Sequence, residues 1–175
     1  MQAFEEFAAH LPSLENIWVP LREMAAFTRD LLGADRLAWL LELPQSQVNT
    51  KVALVHALPE NRWRSPMTQA TDADLEQASR DLPQPTVVYS HIHTLFVRHL
   101  KNSAQERRCI ANSGSVGQSY DGDSRAAYLL LDDAVPTIRR VEYDVDRELR
   151  ALSASGLPHA DWVRRIVQSA SPQTP

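Results

Sequence analysis

Two short apolar runs, each ending on histidine, constrain this chain more than anything else in it. Lys51-Val52-Ala53-Leu54-Val55-His56 is too short for a stable helix and is closed by Pro59, so it reads as a buried strand with His56 at its carboxyl end. Pro85-Thr86-Val87-Val88-Tyr89-Ser90 is a second buried strand, rich in β-branched residues, and it too runs into imidazole at His91-Ile92-His93. Between them, Thr71-Asp72-Ala73-Asp74 opens a polar helix behind a good N-cap, predicted to reach Arg80 before Pro83 and Pro85 interrupt it. Two strands joined by a helix thus deliver three imidazoles to strand ends.

Elements of both kinds flank that unit. From Met1 to Leu43 the apolar spacing is helical, with Phe4, Phe7 and Ala8 on one face and Met24, Phe27 and Leu31 on another; Gly33 caps the second helix, and a third runs from Leu37 to Leu43 and stops at Pro44. Downstream, Leu95 to Leu100, Arg107 to Ala111, Ala126 to Asp132 and Thr137 to Tyr143 read as strands of an antiparallel or mixed sheet, with turn residues between them. Asp144 to Ser155 and His159 to Gln168 read as helices, and residues 169–175 as a disordered, frayed tail. The fold class is α/β (α+β), in one domain over residues 1–168.

Composition narrows the function classes. The 43% hydrophobic and 23% charged content argues against a fibrous, membrane or wholly disordered chain. Lys and Arg total 18 against 22 for Asp and Glu, so no broad cationic surface exists to neutralise nucleic-acid phosphates, and no nucleic-acid partner is implied. The single cysteine, Cys109, has no internal disulfide partner, which fits a reduced, cytoplasmic setting. No stretch approaches the ~20 apolar residues of a membrane span, and the start, MQAFEEFAAHLP, has acids where a signal peptide needs bases.

On a continuous strand His91 and His93 would face the same way with Cα atoms about 6.5 Å apart, a spacing that can serve one metal or two neighbouring ones. Imidazole donors suit Mn, Fe, Ni or Zn rather than Ca. Ordinary surface histidines share the His-x-His pattern, so the surrounding residues must decide. Gly114 and Gly117 read either as a tight loop whose amides approach an anion closely or as a plain turn. Asp121-Gly122-Asp123 lacks the further carboxylates of a calcium loop and reads as a turn. His10, His99 and His159 have no comparable company and read as non-catalytic.

The surroundings are Tyr89-Ser90-His91-Ile92-His93-Thr94-Leu95-Phe96-Val97, then Ala111-Asn112-Ser113-Gly114-Ser115-Val116-Gly117-Gln118, then Asp121-Gly122-Asp123-Ser124-Arg125-Ala126-Ala127-Tyr128. These resemble the closing motifs of the bacterial phosphodiesterase branch of the calcineurin-like metallophosphoesterases: Gly-His-Thr-His-x-Pro-Phe, Asn-Pro-Gly-Ser-Val-Gly-Gln and Asp-Gly-Asp-x-Arg-Ala-Ser-Tyr. Leu54-Val55-His56-Ala57-Leu58-Pro59 is similar to the family's Val-His-Gly-Ser-Pro element, and the likeness extends over residues 20 to 168. It implies the C-terminal part of a four-layer αββα sandwich, preceded here by helices. It also implies a metal-dependent phosphomonoester or phosphodiester hydrolase acting on a small phosphate ester. His56 and His91 would hold one divalent transition metal and His93 its neighbour, with Asn112, Gly114 and Gly117 in the loop on the phosphate side.

The same resemblance shows what is missing. The family's Asp-x-His, Gly-Asp-x-x-Asp and Gly-Asn-His motifs precede this region, yet before His56 the only glycine is Gly33, followed by Ala34, and the only other histidine is His10. Ser90 and Ser113 stand where the family has glycine and proline. No catalytic residue is therefore assigned. The donors that remain are neutral, so at most one cation, or none, is expected. These absences imply an N-terminally truncated phosphoesterase, weakly active or inactive alone; the alternative is a non-catalytic binding or scaffolding protein on a degenerate phosphoesterase fold. Strands lost from a sandwich would leave a sheet exposed, implying a homo-oligomer or a covering partner.

Overall fold

The two histidine-ended runs pair side by side. The computed structural model describes residues 15–101 and 107–175. Helix α1 (Glu15–Glu42) is followed by β1 (Ser46–Val48), β2 (Val52–Val55), α2 (Asp72–Ala78), β3 (Thr86–Tyr89), β4 (Phe96–Lys101), β5 (Arg107–Asn112), β6 (Ala126–Asp132), β7 (Val135–Val141), α3 (Val145–Ala154) and α4 (Ala160–Ser169). The strands form a mixed five-stranded sheet in the order β1-β2-β3-β5-β4 and a separate β6-β7 hairpin. In the sheet, β2, β3 and β5 run parallel, with Ala53 beside Val87 and Val87 beside Ile110, while β1 and β4 lie antiparallel on the edges.

Burial explains the parallel centre. The residues of β3 are all buried, as strands covered on both faces require. On one face Ala53, Val55, Val87, Tyr89, Leu100 and Ile110 form a core with Leu75 of α2 and Leu82. Helix α2 starts where the sequence predicts: Thr71 Oγ1 accepts from the Asp74 amide at 3.2 Å, and the Asp74 carboxylate accepts from the Thr71 amide at 3.0 Å. The Tyr89 hydroxyl donates to the Ala78 carbonyl at 3.0 Å, so the helix end is tied to the strand that leads into the histidines.

Leu54 and Val88 alternate with those core residues and border an open groove of about 500 Å³ whose other wall includes Tyr128, Leu129 and Leu131 of β6. The β6-β7 hairpin turns through Asp133 and Ala134, both left-handed at φ 44° and 66°. Its tip is fastened to the sheet, because Thr86 Oγ1 donates to the Ala134 carbonyl at 2.8 Å and Lys51 pairs with Asp133. Strand β1 was not foreseen: Ser46, Gln47 and Val48 are all exposed and offer no apolar alternation to read.

The chain divides into two compact units, residues 44–143 and, together, 1–43 with 144–175. In the second unit α1 is broken at Gly33 (φ 73°, ψ 171°), the capping position read from the sequence. Helix α4 buries Trp162, Val163, Ile166 and Val167 at helical spacing. Residues 169–175, expected to fray, instead return along α4: the Trp162 indole donates to the Gln173 carbonyl at 2.7 Å and Arg165 to the Thr174 carbonyl at 2.9 Å. A Ser-, Gln- and Pro-rich composition carries no sign of such backbone acceptors. No described helix is long and apolar enough to cross a membrane. The expected helices over Phe4 and Phe7 lie outside the described residues.

Candidate functional site

Parallel pairing places three strand ends in a row. Past the last residues of β2, β3 and β5 the ladder continues for one rung on each side of β3: the Ser90 amide donates to the His56 carbonyl and the Ser113 amide to the Tyr89 carbonyl, both at 3.1 Å. The loops carrying His56, His91 and Ser113 are therefore neighbours at the carboxyl edge, where open α/β sheets place their ligands.

His91 and His93 do not extend β3 as the sequence suggested. The strand ends at Tyr89, and both histidines are left-handed, at φ 74° and 58°. The Ile92 amide turns back to the Ser90 carbonyl at 2.9 Å, making a tight bend where an apolar residue between two histidines had imitated strand alternation. Left-handed non-glycine residues are uncommon and concentrate at binding and catalytic sites.

The bend sends the two imidazoles to different partners. His91 Nε2 lies 3.1 Å from the Trp63 carbonyl, which can only accept, so Nε2 carries a proton there, while Nδ1 meets His56 Nε2 at 3.2 Å. The His56 and His91 rings meet edge to face, 5.2 Å between centroids. His93 Nδ1 instead donates to the Gln118 carbonyl at 2.9 Å, and its ring lies beside Tyr120. That bond fixes the tautomer whose Nε2 lone pair is available, the arrangement that orients metal-binding imidazoles. Burial, helped by the neighbouring His91 and His93, lowers the His56 pKa; burial also lowers that of His93, outweighing its bond to Gln118. Both imidazoles are thus neutral near pH 7.

Residues 112–118 hold both loops. Asn112 is fully buried; its Nδ2 donates to the Ser90 carbonyl at 2.6 Å and its Oδ1 accepts from the Gly114 amide at 3.0 Å. Gly114 sits at φ 71°, and a Cβ there would come within 3.0 Å of Leu95 Cβ and 3.3 Å of Ala127 Cβ. The amides of Gly117 and Gln118 both donate to Ser115 Oγ, at 3.3 and 2.9 Å. The glycine amides expected to cradle an anion are therefore bound within their own loop, which braces His91 through Ser90 and His93 through Gln118. The Trp63 and Gln118 carbonyls could not be found from sequence, since every residue has one.

Asp121 and Asp123 clamp Arg140, at 2.6 and 3.2 Å, in a bend between β5 and β6, where the sequence reads as a turn. Hydrogen bonds from Arg125 hold the Asp123 carboxyl well below the usual carboxylate range. His99 is exposed on β4, and His159 pairs with Glu23 at 2.7 Å; His10 lies outside the described residues.

No protein-family model and no curated protein sequence matches the chain. Solved structures do. A metallophosphoesterase from Sphaerobacter thermophilus superposes with a TM-score of 0.66 at 22% identity, over 80% of this chain and 63% of that one. A hypothetical protein from Pyrococcus horikoshii OT3 gives 0.67 at 16% identity, over 82% of this chain and 57% of that one. The chain has a metallophosphoesterase fold. It spans less than two thirds of the length of either neighbour.

The metal pair implied by the resemblance does not fit the residues of this metallophosphoesterase fold. Among the described residues no group of three or more His, Cys, Asp or Glu side chains is placed to hold an ion. His91 has committed both ring nitrogens, and among the described residues no carboxylate joins the imidazoles in a group that could offset two divalent charges.

Proposed function

We propose that the chain supplies the imidazole half of a metal-dependent phosphoester hydrolase, and that alone it is weakly active or inactive. The observation that carries this reading is the carbonyl-backed His93 beside the His56–His91 contact. His56 and His93 are neutral nitrogen donors next to the carboxyl ends of parallel strands, one of them with its lone pair already oriented, and among the described residues no carboxylate completes a two-ion centre. A divalent transition ion such as Mn, Fe, Ni or Zn would supply charge neutralisation and an acidified water. The substrate class is a small phosphate ester. A cytoplasmic setting goes with the unpaired, buried Cys109.

The test combines equilibrium dialysis of Mn or Ni with turnover of bis(p-nitrophenyl) phosphate, for the wild type and His93→Ala. The chain alone should turn over near background and bind Mn or Ni weakly, with binding lost in His93→Ala. A second polypeptide carrying Asp-x-His and Gly-Asp-x-x-Asp should raise metal-dependent turnover. Equal metal binding by wild type and variant, with no gain from the second polypeptide, removes the hydrolase reading. That result would leave a non-catalytic binding or scaffolding protein, which the closed His56–His91–Trp63 chain favours because it occupies the nitrogens a metal would need.

A further inference from the structure

Residues 58–64, Leu58-Pro59-Glu60-Asn61-Arg62-Trp63-Arg64, form a closed loop of which only the Trp63 carbonyl has a part in the histidine site. The Leu58 amide donates to the Arg64 carbonyl at 2.8 Å, the Asn61 amide to the Leu58 carbonyl at 3.0 Å and the Arg64 amide to the Asn61 carbonyl at 3.1 Å. Asn61 Oδ1 also accepts from the Trp63 amide at 3.0 Å. This small, internally bonded loop is fastened to the candidate site, because the Trp63 carbonyl is the acceptor for His91 Nε2.

Beside the loop lies a cavity of about 250 Å³. Val55, Leu58, Pro59 and Leu82 form its apolar wall, and His56 and Arg62 are among its polar lining. An apolar cavity of about 150 Å³ is enough to hold benzene, so this one has room for an aromatic or similarly compact apolar group. Arg62 is exposed, and its guanidinium has neither a hydrogen bond nor an ion pair with any described residue. Elsewhere in this unit Arg98, Arg108, Arg125 and Arg140 are hydrogen-bonded to carbonyls or carboxylates, whereas Arg64 and Arg139, like Arg62, have no side-chain partner among the described residues; of these three only Arg62 lines the cavity. Glu60 is the only acid in the loop, against Arg62 and Arg64. An unpaired guanidinium on a braced loop, over an apolar cavity that opens beside a histidine, has the layout of a recognition site for an anion with an apolar body.

We propose that this cavity binds the organic group of a phosphate ester while Arg62 takes its phosphate, which makes Arg62 a specificity-determining residue. The choice of a phosphate ester rests on the hydrolase reading above; the cavity and the unpaired arginine do not.

Isothermal titration of the full metal-free chain with phenyl phosphate, inorganic phosphate and phenol tests the proposal. Phenyl phosphate should bind at least tenfold more tightly than either fragment. Arg62→Gln should weaken it tenfold or more, the cost of a charge-assisted hydrogen bond, whereas Arg64→Gln should leave it within about twofold. Circular dichroism should find both variants folded, since both side chains are exposed. Equal affinity for phosphate and phenyl phosphate, wild-type binding by Arg62→Gln, or no binding at millimolar phenyl phosphate would each overturn the proposal. No metal is present, so a failed turnover test with intact binding removes only the hydrolase reading. Turnover together with indifferent binding by Arg62→Gln removes only the cavity proposal.

Discussion

His93 leans on one backbone carbonyl and keeps Nε2 available, whereas His91 spends both ring nitrogens, one on the Trp63 carbonyl and one on His56. Only a turn separates these imidazoles, and both are braced by the same segment, residues 112–118. Left-handed backbone at His91 and His93 is therefore not itself what readies an imidazole for a ligand; the second hydrogen bond on the ring decides it.

The largest expected effect removes the support shared by both histidines. Asn112→Ala orphans the Ser90 carbonyl and the Gly114 amide inside the fold and should cost roughly 2–4 kcal/mol, with both His91 and His93 displaced in imidazole NMR spectra. A urea midpoint close to that of the wild type would mean that the clamp does not hold the loops. Gly114→Ala comes next. It combines a left-handed backbone with a methyl group 3.0 Å from Leu95 Cβ, and about 1–3 kcal/mol should be lost in the same denaturation measurement.

A smaller change separates the two kinds of histidine. His56→Ala removes the partner of His91 Nδ1 at a cost of about 1 kcal/mol or less. Long-range proton–nitrogen spectra should show His91 shifted and His93 unmoved; equal shifts in both would erase the distinction. The smallest effect is acid sensitivity. His56 and His93 have folded-state pKa values below their ordinary 6.5, so between those values and 6.5 the folded chain binds fewer protons than the unfolded one. Their contribution to stability is complete above pH 6.5 and is lost as pH falls through the folded values. Melting temperatures should drop between pH 7.5 and 5, and more shallowly in the His56→Asn/His93→Asn double variant. A parallel drop in that variant would place the acid sensitivity elsewhere.

Elements announced by local chemistry were legible in the sequence. The apolar runs of β2 and β3, the Thr71 cap of α2 and the break at Gly33 all sit where the residue pattern put them, because each rests on burial or on a hydrogen bond within a few positions. The bend at His91-Ile92-His93 was not legible. It depends on Asn112, 22 residues away from Ser90, while Ile92 supplies the apolar residue a strand would show. The β6-β7 turn falls in the gap left between the two predicted strands, but its tightness was hidden for a related reason: Ala134 is left-handed without the glycine or asparagine that usually marks such a position. The three histidines can be named from the sequence, but their ring partners at Trp63 and Gln118 are backbone atoms, which no residue type signals.

The register between β2 and β3 has a further consequence. Leu54 lies opposite Val88, and the next rungs lead to His56 and to Ser90, the residue before His91. Slipping β3 by one residue would carry His91 about 3.3 Å along the sheet and turn Val87 and Tyr89 out of the core. The hydrocarbon beneath α2 thus acts as a ruler for the imidazoles, and substitutions there should first blur the site's spacing before they unfold the chain.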